Sequence, residues 1–149
     1  APMVTIIMTY AEVEFIKAEL AQKGIIASNA KAHYENGVKA AIEQWGLAVP
    51  ADYFTNPATS QFTAYDGTLA CIMLQKYYAL FFTDYQQWFE YRRTGLPTLP
   101  KGAGLRNNGV MPVRFRYPST VVSNNNENYK LAVQKMGGDD INTKVWWEK

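Results

Sequence analysis

Cysteine is nearly absent from this chain: Cys71 is the only one among 149 residues. A single thiol excludes an internal disulfide and a cysteine-built metal cage. Histidine is as scarce, with His33 alone, so a histidine metal site or relay would need partners that the sequence does not supply. No charge of one sign dominates. Fifteen Lys and Arg against 13 Asp and Glu leave +2, which gives nucleic-acid binding no electrostatic support. No apolar run approaches the roughly 20 residues of a membrane-spanning helix. No signal-peptide succession of basic, apolar and small residues stands at the start. The chain opens on Ala1-Pro2 without an initiator methionine, which fits a processed product or an excised segment, so missing targeting signals assign no compartment. Phosphate loops are missing too: Gly102-Ala103-Gly104 is not followed by the helix such a loop requires.

What is present is apolar and aromatic. A hydrophobic share of 48% with 19% charged residues marks a globular chain long enough for one domain with a core. Ten Tyr, seven Phe and four Trp supply rings that fill a core or stack on sugars, the core being the commoner use.

The pattern predicts a mainly α fold. Met3 to Met8 reads as extended. Thr9 and Glu12 then form a capping box, with Val13, Ile16 and Leu20 at helical spacing and Gly24 as the stop. A second helix starts at Ser28 or Asn29, shows Tyr34, Val38, Ala41, Ile42 and Trp45 on one face, and closes at Gly46. Gly37 in mid-helix costs up to about 1 kcal/mol against Ala, which a close helix crossing would explain. Residues 1–46 thus read as a helical hairpin of the tetratricopeptide-like kind. Residues 47–66, with Pro50 and Pro57, are a connector.

Residues 67–95 read as a second helical pair. The first member is capped by Asp66 and runs through Leu69, Ile72, Met73, Lys76, Tyr77, Leu80 and Phe81. A break falls near Phe82, where Thr83 to Gln86 repeats the capping box. A shorter helix follows from Asp84 to Arg93, ending at Gly95 with Pro97 beyond; one continuous helix is the alternative. Residues 96–149 read as a loop-rich tail, extended over Val110 to Tyr117. It holds one short helix, Glu127 to Met136, capped within Asn124 to Asn126, with Tyr129, Ala132, Val133 and Met136 on one side.

The search for chemistry yields no catalytic set, no metal site and no cofactor. Glu12 and Glu19 share a helix face, as a glycosidase pair would, but a capping carboxylate and a solvated one are the favoured reading. Asp139-Asp140 reads as a turn bonded to backbone amides rather than a calcium loop. Cys71 reads as packing. Binding remains. Trp88, Phe89 and Tyr91 with Arg92 and Arg93 form a candidate aromatic and basic platform, Trp88 and Tyr91 being the candidate ligand contacts. Trp88 and Arg92 are spaced for a cation–π pair. Trp146 and Trp147 either stack on a sugar or clamp the tail, the clamp being favoured.

Taken in order, these residues resemble a known family. Met8-Thr9-Tyr10-Ala11-Glu12-Val13 with Ala18-Glu19 looks like the start of the final helical region of the SusD/RagB family. The likeness continues through Gln75-Lys76-Tyr77-Tyr78-Ala79-Leu80-Phe81, Trp88, Arg92-Arg93-Thr94-Gly95 and Pro97. It closes with Pro112, Arg114, Tyr117-Pro118, Asn128-Tyr129, Gly138-Asp139 and Thr143-Lys144-Val145-Trp146-Trp147. The resemblance implies the C-terminal portion of a longer, non-enzymatic outer-membrane lipoprotein whose lipid anchor lies on its N-terminal portion. Such a protein takes oligosaccharide or another nutrient at the cell surface and passes it to a SusC-type TonB-dependent transporter. It also implies architectural roles for Arg92, Arg93, Arg114 and Tyr117, which would satisfy tail carbonyls and carboxylates, and for Trp146 and Trp147 as a latch. A helical-repeat scaffold for a protein or peptide partner is the alternative.

Overall fold

The computed structural model describes residues 6–148, so positions 3–5 of the expected extended strip lie outside the described residues. Seven α-helices follow in order: α1 (Tyr10–Gln22), α2 (Ala30–Glu43), α3 (Ser60–Thr63), α4 (Leu69–Ala79), α5 (Gln86–Thr94), α6 (Ser119–Asn124) and α7 (Asn126–Met136). No strand occurs among the described residues. The chain divides into two units, Ala1–Leu99 and Pro100–Lys149.

Local chemistry starts the first two helices where the sequence puts them. Thr9 Oγ1 accepts the Glu12 amide at 3.0 Å, and Asn29 Oδ1 accepts that of Ala32 at 3.0 Å. The α1–α2 hairpin is the most extensive helix pairing, and α4 packs on both members. At the crossing, a Cβ on Gly37 would meet the Phe15 ring at 3.0 to 3.1 Å. Glycine is therefore demanded by contact, as the sequence suggested. Phe15 meets Tyr34 edge-on at 6.2 Å, and Ala11, Ala18, Val38, Ile72 and Met73 complete the core.

The face that α1 buries differs from the expected one. Val13, Ile16 and Leu20 are only half-buried, while Ala11, Phe15 and Ala18 go inside together with Glu12, Glu14 and Glu19. Apolar periodicity misses this face because three of its buried positions are carboxylates, of which Glu14 and Glu19 pair with His33 and Arg93 on other helices. The connector also carries more order than its composition suggests. It contains α3, where the buried Tyr34 hydroxyl donates to Thr63 O at 2.9 Å and Thr63 Oγ1 donates to Tyr53 O at 2.8 Å.

Two caps are corrected. Thr68, not Asp66, caps α4 by accepting the Cys71 amide at 3.1 Å; Asp66 instead accepts from the Thr68 amide at 2.8 Å. The capping box at Thr83–Gln86 does not form. Phe82 and Asp84 take positive φ values of 62° and 43°, Thr83 turns inward, and α5 begins only at Gln86. The left-handed Gly95 ends α5, and Leu96 packs against the core. In the second unit α7 turns Tyr129, Ala132, Val133 and Met136 to its half-buried side, and Gly137 ends it. Helix α6 was not expected. Its sequence, Ser-Thr-Val-Val-Ser-Asn, is poor in helix formers.

Candidate functional site

Three features of the first unit bear on function, beginning with the carboxylates of α1. Arg93 from α5 grips Glu19 with both guanidinium nitrogens, Nη1 to Oε1 at 2.7 Å and Nη2 to Oε2 at 2.6 Å. That fork, helped by Lys23, holds the Glu19 carboxyl down at about 2. The expectation of a solvated Glu19 is thereby corrected: it is 5% exposed and spoken for. Arg93 also reaches Glu90 at 2.8 Å, as does the buried Lys76 at 2.8 Å. Burial pushes Glu90 upward, but Arg93 and Lys76 outweigh it and lower its carboxyl. Glu12 is the exception. Burial raises its carboxyl above the ordinary range despite Lys76, and its Oε2 has no hydrogen-bond partner among the described residues. A cavity of about 440 Å³ is lined by Glu12, Glu19, Lys76, Glu90 and Arg93. Both Glu19 oxygens are engaged by Arg93, which commits that carboxylate to the ion pair.

The second feature is the aromatic ridge of α5. The Arg92 guanidinium sits 5.0 Å from the Trp88 ring centre, the cation–π pair that the spacing predicts. Tyr85 meets Trp88 edge-on at 6.3 Å and Phe89 lies 5.6 Å away. Trp88 and Tyr91 are both half-buried, so neither ring is wholly consumed by the core. Arg93 leaves the platform for Glu19.

A third feature escaped the sequence reading. A cavity of about 270 Å³ between α2 and α4 and one of about 380 Å³ between α4 and the connector share Tyr53, Gln75 and Tyr78 in their walls. Trp45 borders the first and Phe62 the second. Tyr53 and Phe62 lie in the aperiodic connector, where no spacing rule marks them.

His33, expected to stand alone, has partners: Glu14 Oε2 lies 2.7 Å from its Nδ1 and Ser28 Oγ 2.7 Å from its Nε2. The expectation failed because Glu14 comes from the neighbouring helix of the hairpin.

In the second unit Asp139 is the collecting point. Arg114, 10% exposed, pairs with its Oδ1 at 2.9 Å and lies over the Tyr117 ring at 5.3 Å. The Tyr117 amide donates to Oδ1 and the Tyr129 hydroxyl to Oδ2, each at 3.2 Å. Asp140 accepts from the Asn142 amide at 2.9 Å and pairs with Arg116 at 2.9 Å. Bonds to backbone amides are what the sequence suggested for this corner, and no acidic or histidine cluster able to hold a metal occurs among the described residues. Trp146 and Trp147 are 81% and 62% exposed and meet edge-to-face at 5.3 Å.

Residues 1–118 match the SusD-like family, described as starch-binding and associating with the outer membrane. A SusD-like protein of Bacteroidetes AC2a is similar in structure, with a TM-score of 0.79 and 29% identity over 97% of this chain and 30% of its own. A chitin-binding protein matches with a TM-score of 0.74 and 33% identity, over 93% of this chain and 32% of its own. A SusD homologue of Bacteroides fragilis gives 0.73 and 30% identity, over 94% and 34%. The chain therefore spans about a third of the length of these relatives. No curated protein matches it.

Proposed function

The chain belongs to the SusD-like family, and from that premise we propose that it is the C-terminal portion of a cell-surface nutrient-binding lipoprotein. The whole protein captures oligosaccharide at the outer membrane and hands it to a SusC-type TonB-dependent transporter. Its anchor lies on the N-terminal portion, which is also the partner this portion packs with. Among the described residues no helix is long and apolar enough to cross a membrane, which accords with attachment by a lipid. The observation that carries the reading is the structural match over nearly the whole chain to relatives that include a chitin-binding protein.

The role is binding and delivery, without cleavage of the glycan. Within it, Trp88 and Tyr91 are the proposed ligand contacts. An indole and a phenol on one helix face offer flat apolar surfaces to the C–H face of a pyranose. Calorimetric titration of the intact protein with starch and chitin oligosaccharides tests both levels. Binding weakened about tenfold or more by Trp88→Ala supports the site. Binding unaltered by Trp88→Ala and Tyr91→Ala moves the site elsewhere. Tight binding of a peptide with none of any glycan replaces the reading with that of a protein-binding scaffold. Residues 1–149 alone are expected to bind glycan weakly or not at all.

A further inference from the structure

We propose that Ser28, His33 and Glu14 form a nucleophilic relay that hydrolyses small acyl esters, an activity separate from glycan capture. The three side chains stand in one hydrogen-bonded line. Ser28 Oγ lies 2.7 Å from His33 Nε2, and His33 Nδ1 lies 2.7 Å from Glu14 Oε2. This is the order of nucleophile, base and orienting carboxylate that acyl transfer uses on unrelated folds.

The chemistry of the carboxylate fixes the direction of the line. Glu14 has a side chain only 3% exposed and is held by Lys17 through its other oxygen at 2.8 Å. Burial works against its charge, but the bonds from His33 and Lys17 prevail and keep the carboxyl below its ordinary range. An ionised carboxylate only accepts, so Nδ1 carries the hydrogen. In the neutral ring Nε2 then presents its lone pair to the Ser28 hydroxyl. Glu14 touches no substrate; it is a positioning residue. Ser28 is exposed, as are Ala27 and Asn29 beside it, so the nucleophile is open to solvent and favours small or surface-presented esters. It directly precedes Asn29, the N-cap of the fourteen-residue α2; the Asn29 side chain takes the Ala32 amide, which leaves the amides of Ala30 and Lys31 without a carbonyl inside the helix.

The reaction balances without a further reagent than water. Ser28 Oγ bonds to the ester carbonyl carbon as its proton passes to His33 Nε2. The bond from that carbon to the leaving oxygen breaks, and the imidazolium returns the proton to the departing alcohol. Water, deprotonated by the same nitrogen, then cleaves the acyl-serine to the carboxylic acid and restores the hydroxyl.

The intact protein with p-nitrophenyl acetate provides the test. The expected result is hydrolysis with a single acetyl group found on Ser28 by peptide mass spectrometry. Ser28→Ala and His33→Ala lower the rate about a hundredfold, and added imidazole restores only His33→Ala. Circular dichroism of Ser28→Ala, a change at an exposed position, separates lost chemistry from lost folding. Glu14→Gln lowers kcat about tenfold with KM unchanged; an effect confined to KM overturns its positioning role. Acetylation at Lys17 or elsewhere instead of Ser28, or a Ser28→Ala protein as active as the parent, overturns the relay altogether.

Discussion

Glu12 and Glu19 lie two turns apart on α1, both buried, yet the protein treats their protons in opposite ways. Glu19 is held down to about 2 by Arg93. The stability it contributes is therefore present above the ordinary carboxyl value of 4.5 and is lost as the pH falls toward 2. Glu90, lowered as well, adds to the same acid limb. Glu12 runs the other way: its carboxyl is raised by burial, so its contribution is complete below 4.5 and declines as the pH rises through its folded value. Glu12→Gln, which keeps the shape without the charge, is expected to raise the melting temperature at pH 7 by a few degrees. Scanning calorimetry should find that gain gone at pH 4. Arg93→Ala should remove roughly 2 kcal/mol at pH 7, a buried-pair loss discounted because Arg93 itself is 44% exposed. It should also flatten the acid limb; urea melts across the same pH range check both outcomes.

The helices show which part of the fold the sequence made legible. Thr9, Asn29, Gly95 and Gly137 mark boundaries that the structure keeps, because a cap is a bargain among residues three or four apart. Thr83 does not cap, because tertiary packing drew its side chain inside, where its hydroxyl has no partner among the described residues. Gly37 could be read only as a cost with a suspected reason; the reason is the Phe15 ring on the opposing helix. Gly37→Ala gains about 1 kcal/mol in helix propensity but overpacks the crossing by about 1–3 kcal/mol. A net loss near 1 kcal/mol is expected in chemical denaturation, and Phe15→Leu in the same background should recover part of it. Asn29→Ala should cost about 1 kcal/mol through the lost Ala32 bond.

Over the whole molecule, long-range pairing is what the sequence conceals. Glu19 and Arg93 are 74 positions apart, and no periodicity announces that they meet. His33 looked partnerless for the same reason: Glu14 reaches it across the hairpin. The closing tryptophans, two adjacent indoles, are mostly solvated in this chain. Trp146→Ala and Trp147→Ala in residues 1–149 are each expected to change the unfolding free energy by less than about 0.5 kcal/mol, the scale of an exposed substitution. A melting curve lowered by several degrees would contradict their exposure. Asp139, finally, has a bearing on time. The groups it gathers lie 22 positions away at Tyr117 and 10 at Tyr129. Loops that short close within about a microsecond, far sooner than a contact spanning half the chain. The C-terminal stretch can thus acquire its shape while the Glu19–Arg93 pair is still searching, and pulsed hydrogen exchange should find the Tyr117 amide among the first protected.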